Sequence, residues 1–453
     1  MDPGAALQVI WFRRDLRTQD HPALAAAVAG GAGRPVLPLF VTMPGPWDRL
    51  GAPARAYVAG SLAALRAQLG ALHVRTGEPD VVLAELARSH GPLTVHVTEA
   101  HTPAGRARDE RVARALAPLG SRLVASGSNY AVPPGAVRKP DGEPYRVFTP
   151  FHRAWQAHGW ARPTPQPVPL PVLDLPGEEL PPVGEQLAGT LIPTAGEAAA
   201  LDRWHAFHAG PLAGYGQARD RADLPATSRM SIPLRWGEVH PRTLLASLDP
   251  ERDRRFVAEL GWREFYADVL FHAPHTGTRN LNPSYDRMVH DEGPGADAAF
   301  AAWAEGRTGY PFVDAGMRQL RAEGWMHNRV RMVTASFLVK DLHLPWWRGE
   351  VEFRRWLIDG DPASNAHGWQ WVAGSGTDAA PYFRVFNPVL QGLKFDPDGD
   401  YVRRYVPELG HLAGPAAHEP WKVLDGYAAG YPEPMVDHGE EREEALRRYE
   451  AIR

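Results

Sequence analysis

Residues 7–40, LQVIWFRRDLRTQDHPALAAAVAGGAGRPVLPLF, contain the clearest structural pattern in the chain. An apolar run at Leu7–Phe12 is followed by a polar turn and by an alanine-rich stretch that starts near His21-Pro22. A second apolar run follows at Val36–Phe40. Short apolar runs separated by a helical stretch are typical of a strand–helix–strand unit, which joins parallel strands. We therefore predict a parallel sheet at the start of the chain.

The same alternation continues outward from this unit. We expect further helices at Pro53–Leu69 and Gly105–Leu116, and further strands at Leu93–Val97 and Arg122–Ala125. Alternating strands and helices indicate an α/β domain with a Rossmann-like parallel sheet, which we place at residues 1–130. None of its turns has GxGxxG spacing or GxxxxGK followed by Ser or Thr, so the glycine-rich loops that bind nucleotide phosphates are absent.

A proline-rich segment separates this domain from a helical second part. Residues 162–183, RPTPQPVPLPVLDLPGEELPPV, contain eight prolines, which lack N–H donors and have a fixed φ. Helix and central strand are therefore both disfavoured, and we predict an extended connector within residues 131–200. From residue 201 to residue 453 the pattern is helical without alternating strands, which predicts an all-α domain. Its predicted helices are Arg252–Leu270, Ala296–Glu305, Phe312–Gly324, His327–Leu342, Val351–Leu357 and Glu440–Ile452.

The composition of the chain excludes several classes of protein. With 453 residues, 44% of them hydrophobic, the chain is long enough for two or three domains with substantial cores. The absence of cysteine excludes disulfide scaffolds, thiolate metal sites and cysteine nucleophiles. A formal charge of −4 argues against a histone-like DNA binder but allows a local basic groove. The chain lacks a long uncharged apolar run and the basic-then-apolar order of a signal peptide, so we expect a cytoplasmic protein.

Polar side chains among tryptophans mark the segment in which we expect the chemistry. Asn328 and Arg331 lie three residues apart on a predicted helix whose continuation is apolar, and neither suits a plain core. Asp359 and Asp361 are followed closely by Asn365 and by a Gly-Trp-Gln-Trp run. We expect Arg331 to form a buried ion pair with Asp359 or Asp361.

Two further patterns allow more than one interpretation. Residues 226–231, ATSRMS, form a hydroxyl-rich turn before a helix, which suits phosphate binding but more commonly serves N-capping. His272, His275 and His290 could in principle bind a metal. They lie in a Gly/Pro-rich stretch without helical ligand spacing, so we favour surface histidines and predict no metal site.

Several long motifs together identify the chain as a member of the photolyase/cryptochrome family, in which it most resembles class I cyclobutane pyrimidine dimer photolyases. The resemblance runs in order over essentially the whole chain. It implies an N-terminal α/β antenna domain and a C-terminal all-α domain that binds FAD. The motifs are VIWFRRDLR at 9–17 with His21-Pro22, VFTPF at 147–151, ELGWREFY at 259–266, TGYPFVD at 308–314, GWMHNR at 324–329, and GWQW at 368–371 with Phe386-Asn-Pro388.

The resemblance implies a set of FAD contacts. Hydroxyls and N–H groups at 227–231 suit the pyrophosphate, Arg331 and Asp359 would lie near the isoalloxazine, and Asn365 would face flavin N5. Plant cryptochromes have Asp where this chain has Asn365, so this position favours repair. The implied contacts are Tyr215, Thr227, Ser228, Met230, Ser231, Arg263, Asn328, Arg331, Asp359, Asp361 and Asn365.

The resemblance also implies lesion and DNA contacts. Trp262 and Trp371 would contact the flipped dimer, and Glu259 would hold its carbonyls. The catalytic assignments are Glu259 and Asn365, with Trp369 and Trp346 as electron carriers. The implied DNA contacts are Arg219, Glu259, Trp262, Asn328, Arg329, Met332, Trp371 and Arg384, with ordinary ion-paired arginines as the alternative for Arg329 and Arg384.

The implied activity is light-driven splitting of cyclobutane pyrimidine dimers in DNA, a carbon–carbon lyase reaction with no net redox change. Two alternatives are a cryptochrome-like photoreceptor and a (6-4) photolyase. The first is disfavoured because the chain ends soon after Asn387-Pro388 without a long tail. The second is disfavoured because Asn328 and Met332 replace the His pair of (6-4) enzymes. We expect a monomer without a membrane or an obligate protein partner.

Two positions depart from the family pattern. The outermost tryptophan of the photoreduction chain would fall within Val289–Gly293, which contains no Trp. Either Trp347 or another aromatic residue replaces it, or photoreduction is inefficient. The antenna region reads AHTPAGRARD at 100–109, without the Asn-Glu pair of folate-binding relatives or the acidic residues of deazaflavin-binding relatives. A second chromophore, methenyl-folate or deazaflavin, is plausible from the domain but cannot be assigned to residues. The alternative is an α/β domain that serves only as a scaffold.

Overall fold

The N-terminal part of the chain contains the predicted parallel sheet. The computed structural model describes residues 6–181, 189–378 and 384–453. Five parallel strands lie in the order β3-β2-β1-β4-β5, with Val9 of β1 opposite both Leu37 of β2 and Val95 of β4. The strands are β1 Leu7–Phe12, β2 Leu37–Thr42, β3 His73–Thr76, β4 Leu93–Val97 and β5 Arg122–Ala125.

One strand and two helices of this sheet region were not predicted: β3, the short helix Pro44–Asp48 and the helix Pro79–His90. Strand β3 has only four residues, two of them His73 and Arg75, and it is half exposed at the edge of the sheet. An edge strand needs no continuous apolar run, so its sequence signal is weak. The helix Pro79–His90, which follows it, packs Val82, Leu83 and Leu86 into the core of the sheet.

Helices account for most of the remaining structure. Many of them have a proline in the first turn. N–H groups in the first turn make no hydrogen bond within the helix, so a proline there removes none. The helices in chain order are α1 Pro22–Gly31, α2 Pro44–Asp48, α3 Ala52–Leu69, α4 Pro79–His90, α5 Pro103–Leu116, α6 Phe148–His158, α7 Glu197–Ala209, α8 Tyr215–Ala218, α9 Ser231–Trp236, α10 Pro241–Leu245, α11 Arg254–His272, α12 Pro294–Glu305, α13 Pro311–Glu323, α14 Asn328–Ser336, α15 Trp346–Trp356, α16 Pro362–Ala373, α17 Pro388–Phe395, α18 Asp400–Tyr405 and α19 His438–Glu450.

The predicted helices are present in the C-terminal half, with changed bounds. The helix expected over His327–Leu342 is α14 followed by a π-helical turn at Phe337–Asp341. The helix expected from Val351 begins earlier, at Trp346, directly after Pro345. The fold class is therefore as predicted, an α/β region followed by an all-α region.

The described residues form two compact units. The first comprises the described residues within Met1–Leu187, Pro193–Ala209 and Ser228–Pro274; the second comprises those within Ala188–Ile192, Gly210–Thr227 and His275–Arg453. These units do not divide at residues 130 and 200, where the sequence placed its boundaries, because α11 packs against α6 and α7 packs against α3.

The proline-rich segment is extended, as predicted, and it also contacts the sheet. Val172 forms an isolated bridge with Val36, and Leu173 donates its N–H to the Val36 carbonyl at 2.9 Å. The last two residues of the predicted segment, 182–183, lie outside the described residues. Among the helices that the structure describes, none combines the length and the apolar character that a membrane crossing requires.

Candidate functional site

Arg331 and Asp359 form the ion pair that the sequence predicted. Arg331 lies on α14, and its Nη2 donates to both oxygens of Asp359 at 2.9 and 3.1 Å. Its Nε donates to the Met326 carbonyl at 2.8 Å, which fixes the guanidinium. The Asp359 side chain is 1% exposed, whereas Arg331 is 24% exposed. The pair therefore leaves part of a fixed cation accessible next to a buried carboxylate.

Asn365 is oriented by a residue that the sequence analysis did not identify. On α16, its Nδ2 donates to the Glu350 carbonyl at 3.1 Å and to Glu350 Oε1 at 2.9 Å. Glu350 lies on α15 and pairs through Oε2 with Arg354 at 2.9 Å. Burial raises the pKa of Glu350, while Arg354 and the Asn365 amide oppose that rise. Because the amide nitrogen is committed to Glu350, the Asn365 oxygen is the atom left to accept a hydrogen bond from a ligand.

Asp361 has a structural role in addition to the predicted one. Its Oδ1 accepts from the backbone N–H groups of Ala363 and Ser364 at 3.0 Å, so it is the N-cap of α16. This cap holds the helix that carries Asn365, Trp369 and Trp371. The ion-pair alternative that the sequence left open is thus decided in favour of Asp359.

The hydroxyl-rich turn at residues 226–231 precedes a helix, as predicted. Ser228 Oγ accepts from the Met230 N–H at 3.2 Å, and Arg229 has a positive φ of 52°. Thr227 is half-buried, Met230 is buried and Ser231 is exposed at the start of α9. Tyr215 is buried, with the Arg219 guanidinium over its ring at 5.6 Å.

Helix α11 carries three of the predicted side chains. Trp262 stacks face to face on Phe148, with ring centroids 3.8 Å apart and planes at 8°. Glu259 is half-buried on the same helix. Arg263 donates to the carbonyls of Asn129 and Leu234 at 3.1 and 3.3 Å. Arg263 therefore has structural partners in addition to its predicted flavin role.

The side chains of the second unit that we predicted to contact DNA differ in their exposure and in their ion pairing. Asn328 is exposed at the start of α14, and Met332 lies one turn later. Arg329 pairs with Asp220 at 3.0 Å, and Arg219 Nε lies 3.9 Å from the same carboxylate oxygen. This arrangement agrees with the ion-paired alternative for Arg329. Arg384 is exposed, and its backbone carbonyl accepts from the buried Lys340.

His327 is the histidine next to the predicted lesion contacts. Its Nδ1 accepts from the Arg329 N–H at 3.1 Å as the N-cap of α14, and its side chain is buried. Burial lowers the pKa of His327 to about 4. It is therefore neutral at physiological pH and is not an acid that could replace the His pair of (6-4) enzymes.

The tryptophans proposed as electron carriers have different surroundings. Trp369 is 2% exposed and packs against Gly349, where a Cβ would lie 2.1 Å from the indole ring. Its Nε1 has no hydrogen-bond partner among the described residues. Trp346 Nε1 donates to Asn280 Oδ1 at 2.9 Å. Trp347 is 43% exposed, and its ring lies 6.0 Å from that of Trp346.

His272 and His290, which the sequence offered as metal ligands, have different neighbouring side chains. His272 lies 3.8 Å from Asp268, and the His290 ring is edge-on to Trp347 at 5.4 Å. Within the described ranges, no group of three or more His, Asp or Glu side chains is arranged to hold a metal ion.

Comparisons with known proteins show the family of the chain. Residues 8–171 match the family described as DNA photolyase, and residues 256–451 match the FAD binding domain of DNA photolyase. The chain belongs to the DNA photolyase family. The deoxyribodipyrimidine photo-lyase of Agrobacterium fabrum is 40% identical, and the match covers 98% of each chain.

Three solved structures of the family are similar over nearly the full chain. A class III photolyase from Agrobacterium tumefaciens has a TM-score of 0.92 at 40% identity, covering 99% of this chain and 98% of that one. A Synechocystis cryptochrome has a TM-score of 0.87 at 26% identity. A Sulfolobus tokodaii photolyase with two FAD molecules has a TM-score of 0.83 at 28% identity. Each of these two matches covers 98% of this chain and 99% of the other chain. The family prediction is confirmed, while the most identical of these three structures is class III rather than the class I used for comparison above.

Proposed function

We propose that this chain is an FAD-dependent enzyme that uses light to split cyclobutane pyrimidine dimers in DNA. The observation that carries the proposal is the orientation of Asn365. Its amide nitrogen donates to Glu350, so its oxygen remains available to accept a hydrogen bond from N5–H of a reduced flavin. The names of the full-length relatives support the same activity.

The residues present fit an FAD molecule. Arg331 is a fixed, partly accessible cation, and Asn365 supplies an oriented acceptor within the same unit. The chemistry that bound FAD supplies is donation of one electron under light, with later return of that electron. The residues that we assign to its binding are Tyr215, Thr227, Ser228, Met230, Ser231, Arg263, Asn328, Arg331, Asp359, Asp361 and Asn365.

We assign contact with the lesion to residues that the family resemblance implies. Trp262 and Trp371 each offer an aromatic surface, and Trp371 is oriented by donation from its Nε1 to the Asp378 carbonyl at 3.1 Å. Extrusion of a damaged base pair costs only a few kcal/mol, which favours lesions over intact DNA. Glu259 is assigned to the dimer carbonyls. Arg219, Asn328, Arg329, Met332 and Arg384 complete the proposed DNA contacts.

A choice between two kinds of photoproduct tests the substrate assignment. We expect the FAD-loaded protein to bind an oligonucleotide with a cyclobutane thymine dimer at least tenfold more tightly than the same sequence with a (6-4) product. Fluorescence anisotropy in the dark measures both dissociation constants, with undamaged duplex as the control. Equal or tighter binding of the (6-4) product would refute the assignment.

We propose that electrons reach the flavin site from solvent through Trp347, Trp346 and Trp369. The indole N–H of Trp346 donates to Asn280, whose Nδ2 donates to the Asp286 carboxylate at 2.8 Å. This hydrogen-bonded chain to an anion stabilises a positive charge on Trp346, whereas the Trp369 N–H has no such partner among the described residues. A hole on Trp369 therefore moves outward to Trp346, which Trp347 then reduces.

Two variants test this route. Trp347→Phe and Asn280→Leu should each slow flavin photoreduction by an external thiol by about tenfold, since a tenfold rate change requires only about 1.4 kcal/mol. Dimer repair by chemically pre-reduced enzyme should not change. The photoreduction rate is measured from the absorbance of the oxidised flavin under continuous blue light. Repair is measured by counting the remaining dimers. A Trp347→Phe variant that photoreduces at the wild-type rate would exclude this exit.

We also propose a place for the second chromophore. The strand order reverses between β1 and β4, and ligands of parallel sheets bind at such a point. There, Arg13 and Arg108 share the carboxylate of Asp109 at 2.6 and 2.8 Å, and both guanidiniums lie over the Trp11 ring. Burial, reinforced by the Arg13 charge, lowers the pKa of Arg108 to about 10. Two guanidiniums held in place at this edge of the sheet fit an anionic chromophore such as methenyl-folate or deazaflavin.

We infer that the protein works as a monomer in the cytoplasm, with damaged DNA as its partner. In this assignment residues 1–130 form the antenna domain, residues 131–200 the connector and residues 201–453 the catalytic domain. The absence of cysteine, and hence of any disulfide, is compatible with the reducing conditions of the cytoplasm.

A further inference from the structure

Five aromatic rings of the first unit form a continuous stack that ends at Trp262. Trp262 lies on Phe148 at 3.8 Å, and Phe148 lies on His152 at 5.2 Å with planes at 27°. His152 in turn stacks on Trp155 at 5.6 Å, and Trp155 contacts Trp160 at 4.6 Å. The stack thus extends from a proposed lesion contact to a half-buried ring beyond the end of α6.

The sequence of α6 explains why the stack is continuous. Phe148, His152 and Trp155 are spaced by four and three residues, so they share one face of the helix. Gly261 of α11 allows that face to approach closely, because a Cβ at this position would lie 2.5 Å from the His152 ring. Glu264 of α11 accepts from Trp155 Nε1 at 3.3 Å. The aromatic face of α6 is therefore fixed against the helix that carries Trp262.

The stack restricts the orientation and the accessible surface of the Trp262 ring. One face of its indole is covered by Phe148, and its edge contacts Phe265 at 5.8 Å with planes at 69°. The ring is only half-buried, so the uncovered surface remains accessible. A side chain that is ordered before binding loses less conformational entropy when it contacts a ligand. Phe148 is itself 9% exposed and offers no comparable surface to DNA.

We propose that Phe148 is a positioning residue that holds the plane of Trp262 and thereby sets the preference of this protein for damaged over intact DNA. The inference rests on the proposed function, because it needs Trp262 to contact the lesion. Phe148 acts through Trp262 and touches neither the DNA nor the flavin. The alternative is that Phe148 contributes only to the stability of the contact between α6 and α11.

The matched control is Phe151, which lies on the same helix. Phe151 is 2% exposed and packs on Phe265 at 5.1 Å, so its truncation removes a comparable buried ring. Phe148→Leu should weaken binding of a dimer-containing oligonucleotide about fivefold, since an aromatic pair contributes modestly beyond its buried area. Binding of undamaged duplex should change less than twofold. Phe151→Leu should lower the melting temperature similarly and leave the damaged-to-undamaged ratio unchanged, and Phe148→Tyr should retain that ratio.

The measurement uses the full-length, FAD-loaded protein in the dark, with fluorescence anisotropy on both oligonucleotides and Trp262→Ala as the reference. Loss of discrimination in Phe148→Leu but not in Phe151→Leu supports the proposal. Unchanged discrimination in Phe148→Leu, or an equal loss in Phe151→Leu, overturns it. If Phe148→Leu does not retain FAD, Phe148→Met takes its place. Unchanged discrimination in Trp262→Ala would instead refute the lesion role of Trp262, which separates failure of the proposed function from failure of this inference.

Discussion

Replacement of Arg331 by Met is expected to remove most of the bound FAD and to destabilise the second unit by about 3–5 kcal/mol, because it leaves a buried carboxylate without its cation. The Asp359 side chain is 1% exposed and accepts two hydrogen bonds from Arg331. The substitution also removes the donor to the Met326 carbonyl.

An exposed ion pair of similar length provides the control for this variant. Arg75 and Glu85 lie 3.0 Å apart with side chains 30% and 50% exposed, and Arg75→Met should change stability by less than about 1 kcal/mol. The measurements are thermal unfolding and the ratio of flavin to protein absorbance after purification. If the Arg331→Met protein kept its FAD and had the same melting temperature as the Arg75→Met control, the role assigned to the Arg331–Asp359 pair would be contradicted.

Replacement of Asn365 by Asp is expected to slow light-driven repair by at least tenfold. The new carboxylate would lie next to Glu350, whose Oε1 is 2.9 Å from the present Asn365 nitrogen. Two like charges about 4 Å apart repel by about 4 kcal/mol at the effective dielectric of a protein. The same negative charge would face the anionic reduced flavin and disfavour it. The first effect disturbs the contact that orients residue 365, and the second opposes the redox state from which repair starts.

Glu350→Gln separates the charge of Glu350 from its hydrogen bond. A glutamine keeps an oxygen that can accept from Asn365 Nδ2, so the amide orientation and most of the repair rate should remain. The readouts are the midpoint potential of the bound flavin and the repair rate of chemically reduced enzyme under blue light. An Asn365→Asp protein with unchanged potential and rate would show that the oriented amide does not tune the flavin.

The parts of the fold that the sequence predicted are those with strong local patterns. Strands β1, β2 and β4 are buried on both faces and read as continuous apolar runs. Strand β3 lies at the edge and alternates with polar residues, so it was missed. The division into two units also could not be read from the sequence, since it depends on which helix faces pack together.

One contact among the predicted site residues could be expected from the sequence, whereas another depends on tertiary packing that the sequence does not display. The Arg331–Asp359 pair was expected and is present, but Glu350, which orients Asn365, gave no signal because a buried glutamate on a helix resembles a solvated one in sequence. The TGYPFVD motif, which helped to identify the family, has a structural role: the buried Asp314 accepts from the N–H groups of Thr308 and Gly309.

The most direct test of the account is the fate of a single cyclobutane thymine dimer in an oligonucleotide mixed with the FAD-loaded, chemically reduced protein under anaerobic conditions. The fraction of intact dimer is measured by chromatography in the dark and after near-UV or blue light, and the flavin spectrum is recorded before and after. The account predicts dimer loss only in the light, over many turnovers, with the reduced flavin spectrum unchanged at the end. Tight FAD binding without light-dependent loss of the dimer would contradict it and would favour a photoreceptor.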